Sequence, residues 1–395
     1  MAKIKISSER MKNLKALAIE MNKQNKRPFP VTNELIYCFD AVITPEENDY
    51  LLRIGREPLT YEQAASFSDL PEESFHTFFE TIMRKGLVWP RYDKEGEKRY
   101  VLAAILVGWF EVYLSDGSET PEKQEFARRV DELFKSFSKL NVFPLRNLLN
   151  YKFRRESEPH TEIALTKQPN EISKTVEVDV HLPLKSGETK IYPYHSVFEL
   201  IEKYGDENKI ALVHCFCRQW HKMLDKPCRF DIPAESCITL GDMTRHAVDY
   251  GVGRLISKEK ALKVIQELQE KGAIHQVFFE KDDMNLGEIA ICNCCWDCCG
   301  VLTSYNRGYL PLHLKSYYYA QIKDSTLCTG CGTCVKYCPT RAFSVVKEKS
   351  QINVEKCIGC GQCEMKCPEG VIGLEYRERR VMLPLLKKSE VRISV

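Results

Sequence analysis

The stretch "ICNCCWDCCG", residues 291–300, places Cys292, Cys294, Cys295, Cys298 and Cys299 within ten residues. Thiols at that density serve either as disulfides or as ligands for a soft metal. The chain holds 18 cysteines, and only Cys38 precedes residue 215. Disulfide scaffolds are usually short and secreted. This chain has 395 residues, and its opening segment lacks a continuous apolar run of the signal-peptide kind. The thiols are therefore read as ligands in a reducing compartment, which sets the expected location as the cytoplasm.

A second concentration of cysteines is an internal repeat. "CTGCGTCVKYCP" begins at Cys328 and "CIGCGQCEMKCP" at Cys357, an offset of 29 residues. Cys328, Cys331, Cys334, Cys338 and Pro339 recur as Cys357, Cys360, Cys363, Cys367 and Pro368, and Gly330 and Gly332 recur as Gly359 and Gly361. Three thiolates on a tight loop can grip three irons of one cubane. Glycine tolerates the positive φ such a loop needs, and leaves N–H groups facing the sulfurs. With this C-x2-C-x2-C-x3-C-P spacing, residues 321–377 resemble bacterial-type two-cluster ferredoxins. The resemblance implies two [4Fe-4S] clusters with an exchanged fourth ligand. One would sit on Cys328, Cys331, Cys334 and Cys367, the other on Cys357, Cys360, Cys363 and Cys338, wrapped by Val335, Ala342, Phe343, Val345, Val371 and Ile372. Zinc on the same cysteines is the competing reading, and two copies in matched register weigh against it. Free carriers of this type are usually acidic. Here Lys323, Lys336, Arg341, Lys347, Lys349, Lys356 and Lys366 offset the acids, which suits a module docked on its own chain.

Between the repeat and residue 176 lie Cys215 and Cys217 in "HCFCR", then Cys228 and Cys237, then the five of the opening stretch. In a helix Cys294 would share a face with Cys298, and Cys295 with Cys299; in a strand neighbours would alternate. Either way adjacent cysteines diverge, so the stretch is expected to form one wall of a site. "HCFCR", Cys228 and Cys237 would form the other. An amphipathic helix stopped at Gly272, then a strand, would space the two walls. All nine are metal-ligand candidates, for at least one further [4Fe-4S] cluster or for zinc; a redox disulfide between Cys295 and Cys298 is a third option. The pattern C-x-C-R with a later C-N-C-C is similar to a cysteine-rich domain found ahead of two-cluster modules in iron–sulfur proteins of anaerobes. That resemblance implies redox work in an anaerobe. His214, His221 and His275 are read as packing or hydrogen-bonding residues.

The elements that carry these sites fall into an α+β multidomain chain. Residues 1–45 form a basic helical segment and 46–114 a winged-helix-like domain. Residues 115–175 are helix and linker, 176–320 the cysteine-rich α/β domain, 321–377 the ferredoxin-like domain and 378–395 a tail. A helix over "LPEESFHTFFETIMRKG" places Phe75, Phe78, Phe79, Ile82 and Met83 on one face, and "LVWPRYDKEGEKRYVLA" forms two strands about a turn. Strands are also expected over 175–184 and 188–194. The third helix shows Glu72, Glu73, Ser74, His76, Thr77 and Glu80 where a recognition helix would present cations, so DNA is disfavoured. Net charge is +2, which points to no nucleic-acid or membrane partner. The longest apolar run, residues 101–110, is too short for a membrane span of about 20 residues. No Walker loop, G-x-G-x-x-G after a strand, H-E-x-x-H or G-x-S-x-G occurs.

These observations lead to an iron–sulfur electron-transfer protein, a subunit or partner of an anaerobic oxidoreductase rather than a stand-alone enzyme. It would meet redox protein partners in an oligomer or complex. Two alternatives stay open: a redox-sensing winged-helix transcription regulator, and an enzyme whose central cluster binds substrate.

Overall fold

The structure is a computed structural model and describes residues 6–24, 29–93, 95–140, 145–155, 162–164, 197–205, 208–279 and 289–393. The strands expected over 175–184 and 188–194 lie outside the described residues. Helices and strands are mixed, and the chain divides into two compact units. The first comprises Met1–Ser136, Val213–Lys226 and His246–Arg254, the second Phe137–Leu212, Pro227–Arg245 and Leu255–Val395.

In the first unit, threonines fix the helix starts. Thr44 caps Pro45–Ile54 in a reciprocal box with Glu47, and Thr60 caps Tyr61–Ala65 in the same way with Gln63. The helix Glu72–Arg84 buries Phe75, Phe79, Ile82 and Met83, four of the five residues expected on its inner face. Phe78 is half-buried and meets the Tyr50 ring edge-on at 5.1 Å. The antiparallel strands Val88–Tyr92 and Lys98–Leu102 follow. The apolar run after them is core: Leu102, Ile105, Trp109 and Phe110 are buried.

The second unit is built on one sheet. Six of its strands lie, in spatial order, as Ile372–Leu383, Leu312–Ile322, Glu162–Ala164, Ile274–Phe279, Ile289–Cys294 and Glu235–Leu240. The helix Lys258–Lys271 starts at the Ser257 cap and stops at Gly272, whose φ of 104° closes the left-handed turn into strand Ile274–Phe279. That stop and strand are the spacer expected between the cysteine groups.

The 29-residue sequence repeat is also a structural one. Helix Thr333–Tyr337 and strand Phe343–Val346 recur as helix Gln362–Met365 and the start of strand Ile372–Leu383. Strand Leu312–Ile322 opens the first half and Lys349–Ile352 the second. Leu312–Ile322 pairs with Ile372–Leu383, and Phe343–Val346 with Lys349–Ile352. The final strand runs on to Leu383, so part of the expected tail is sheet.

Candidate metal centres

The two cysteine loops of the repeat share one backbone device. Gly330 and Gly359 both adopt φ of 68°, while Gly332 and Gly361 adopt 74° and 75°. An added methyl at Gly330 would meet the Glu348 carbonyl oxygen at 2.4 Å, and at Gly359 the Tyr318 carbonyl oxygen at 2.1 Å. Glycine is thus required there for both dihedral and space. Each leading cysteine then accepts an N–H from the opening strand of the other half. Ser350 N–H donates to Cys328 Sγ, and Ala320 N–H to Cys357 Sγ, both at 3.4 Å. Gly359 N–H also donates to Cys357 Sγ at 3.4 Å, and Ala342 N–H to Cys338 Sγ at 3.1 Å.

The surroundings of the two loops differ. Hydrogen bonds from the Ser350 and Gly330 amides hold the Cys328 thiol below its ordinary range. The Thr333 hydroxyl, 3.3 Å away, and its amide do the same for exposed Cys331. Burial instead pushes Cys357, Cys360 and Cys363 up, and Cys338 adds to the effect as a nearby like charge. Cys338, Cys357, Cys360 and Cys363 line one cavity, closed by Ala320, Phe343, Ile358 and Leu374. That donor set, four sulfurs about a pocket edged by amide N–H groups and apolar side chains, fits an iron–sulfur cubane.

Residues 320–368 match the family model of the 4Fe-4S dicluster domain. An iron–sulfur domain therefore lies in this part of the chain, which supports an electron-transfer role. No curated protein and no solved structure matches the chain. The 4Fe-4S domain is tied to the rest of its unit: Gln362 Nε2 donates to the Ala273 carbonyl at 2.5 Å, Lys366 Nζ to the Glu270 carbonyl, and Asn306 Nδ2 to the Pro339 carbonyl at 3.0 Å.

The opening stretch is neither helix nor continuous strand. Strand Ile289–Cys294 ends at the second cysteine of the stretch, a turn follows, and helix Gly300–Asn306 begins after Cys299. This changes the pairing. Cys295 and Cys298 enter one apolar cluster, with Ile238 and Ile291. Cys294 and Cys299 enter another, with Ile358 and half-buried Cys360. Cys295 Sγ lies 2.9 Å from Cys298 Sγ and 3.6 Å from Cys228 Sγ. Hydrogen bonding with Cys294, then burial, pushes Cys299 up, and Gln276 Nε2 donates to Cys299 Sγ at 3.3 Å. Cys237 lies on strand Glu235–Leu240, which pairs with the strand carrying Cys292 and Cys294. Cys215 and Cys217 belong to the first unit, at the start of helix Phe216–Lys222. His221 Nδ1 sits 2.8 Å from the Cys217 carbonyl, and His275 Nδ1 is 2.6 Å from Asn293 Oδ1.

Several residues at these sites carry no signal of spacing. The Ser350 hydroxyl lies 3.2 Å from Cys334 Sγ, and Arg379 donates to the Cys357 and Val354 carbonyls. Both come from strands whose pairing brings them to the loops. Among the described residues no helix is long and apolar enough to cross a membrane.

Proposed function

We propose that this chain is an iron–sulfur electron carrier, a subunit or docking partner of an oxidoreductase in anaerobic metabolism. The observation that carries the reading is the shared cavity. Cys338 from the first copy of the repeat lines it together with Cys357, Cys360 and Cys363 from the second. A fourth ligand exchanged between copies is what a bacterial-type two-cluster module requires, and the complementary set is Cys328, Cys331, Cys334 and Cys367. Such groups supply one-electron chemistry. The chain's own residues hold the ligands, tune them with the N–H donors of Ala320, Gly359, Ser350 and Ala342, and exclude water from the second loop. The exposed Cys331 side is the entry or exit for electrons. The central cysteines hold metal and are not nucleophiles.

Residues 46–114 are read as a winged-helix-like docking domain. The outward half of helix Glu72–Arg84 carries exposed Glu72, Glu73, Ser74, His76 and Thr77, a poor match to phosphates. Lys85 at its end is held by Glu47 at 2.7 Å and by the Val42 carbonyl at 2.8 Å. The test is a one-electron cycle. Anaerobically reduced protein should show paramagnetic cluster signals and pass those electrons to a viologen or cytochrome acceptor. Reduction without any such signal, or tight sequence-selective duplex binding, would replace this reading with another.

A further inference from the structure

The thiols of Cys228, Cys295 and Cys298 all lie within 4.8 Å of one another. We infer that they hold one zinc-class divalent ion, not a corner of a third cubane. The inference deepens the metal-binding reading of the central cysteines and is independent of the reading of residues 320–368.

The argument is one of spacing. With metal–sulfur bonds of about 2.3 Å, sulfurs on a tetrahedron stand about 3.8 Å apart. The observed 3.6 Å between Cys228 and Cys295 is close to that edge, and the 2.9 Å between Cys295 and Cys298 is below it. In a cubane each cysteine binds a different iron, so its thiols stand farther apart than two ligands of one ion. The chain supplies its own comparison. Among the described residues no other three His, Cys, Asp or Glu ligand atoms close to this range, the eight cysteines of the 4Fe-4S domain included. Three soft thiolates select zinc over harder ions.

The site is also built to receive an ion. Cys295 and Cys298 flank a two-residue turn, and the Cys298 N–H donates to Cys295 Sγ at 3.4 Å, which offsets thiolate charge. The loop of Cys228 is fastened to that turn from the side. Arg229 N–H donates to Asp297 Oδ2 at 3.1 Å, and the Phe230 ring meets Trp296 edge-on at 5.6 Å. Cys295 and Cys298 are 0% and 1% exposed and Cys228 9%. No fourth His, Cys, Asp or Glu atom joins the group among the described residues.

The full-length protein, purified without oxygen, should contain about one zinc per chain beside its iron. Cys228→Ser and Cys298→Ser should each lose that zinc and leave iron, sulfide and the paramagnetic spectrum unchanged, which also reports that the variants fold. Cobalt-exchanged wild-type protein should show thiolate-to-metal charge-transfer absorption and an X-ray absorption shell of at least three sulfurs, measurements that need no variant. Loss of about four irons with a cluster signal in either variant would overturn the inference in favour of a third cubane. Zinc that is absent, or retained in both variants, would overturn it too, as would a Cys295–Cys298 disulfide in the native protein.

Discussion

The guanidinium of Arg392 lies 3.6 Å from the centre of the Trp296 ring. The same group donates to the Cys338 carbonyl at 2.6 Å and to the Lys336 carbonyl at 3.1 Å. One residue near the end of the chain thus touches the turn between Cys295 and Cys298 and the segment that leads Cys338 into its cavity. Burial, then Arg341, lowers its pKa from 12.5 to about 10, so it stays charged at neutral pH.

Removing that link has a definite cost. A desolvated cation–π contact and hydrogen bonds from a charged donor are each worth about 2 kcal/mol. Arg392→Ala should lower stability by at least about 2 kcal/mol, seen as a lower urea midpoint with unchanged slope. Arg392→Lys should recover less than half, since an ammonium cannot stack and fork at once. Equal midpoints for wild type and alanine variant would show the contact to be idle.

The glycines of the loops should not be equivalent. Gly359→Ala sets a methyl 2.1 Å from a backbone oxygen at a φ of 68°, so the loop must open and the protein should lose iron. Gly332→Ala meets nothing within 4 Å and bears only its φ of 74°. It should cost about 1–2 kcal/mol and keep its iron. Iron content and visible absorbance of the two variants decide the matter, and a reversed order contradicts the loop geometry.

Stability should fall on mild acidification because of His246. It is buried between Trp89 and Tyr250, with ring centres 5.1 Å from each. Burial, then Arg91 and Lys98, pushes its pKa down from 6.5 to about 3. The unfolded chain therefore binds the extra proton between those values. The contribution of neutral His246 is whole above pH 6.5 and is lost progressively as pH falls towards 3. His246→Leu should flatten this part of the stability–pH curve, measured by denaturant midpoints across the window. An unchanged slope would mean that the ring is protonated in the fold.

Iron should leave in order. Cys331 is exposed, while its counterpart Cys360 is half-buried and lines the cavity. A chelator or limited oxygen should first abolish the signal that Cys331→Ser removes, and later the one that Cys360→Ser removes. Simultaneous loss, or the opposite order, would contradict the difference in exposure.

Much of the C-terminal architecture could be read directly, because ligand spacing within a loop is a local property. The offset between Cys328 and Cys357 reappears as matched helices and matched glycine dihedrals. The stop at Gly272 was equally legible, since only a left-handed residue ends that turn. What escaped depended on distant pairing. Cys228 is expected opposite the opening stretch, but no periodicity encodes which of the five cysteines it meets, Cys295 across 67 residues. The helix and strand alternatives for the opening stretch both give way to strand, turn and helix in succession. That succession sets Cys295 beside Cys298, the two also named as a redox pair, and Cys294 with Cys299, where a continuous helix would have paired them four apart. Arg392 and Ser350 were invisible for the same reason: each acts at a loop through a strand or tail brought in from elsewhere.

The most direct test of the account is anaerobic quantitation of iron and acid-labile sulfide, with paramagnetic resonance on the reduced protein. Two cubanes on the repeated loops predict about eight of each per chain and two coupled signals, one lost in Cys331→Ser and the other in Cys360→Ser. A colourless protein with zinc in those loops, or a single four-iron signal that both variants abolish, would contradict it.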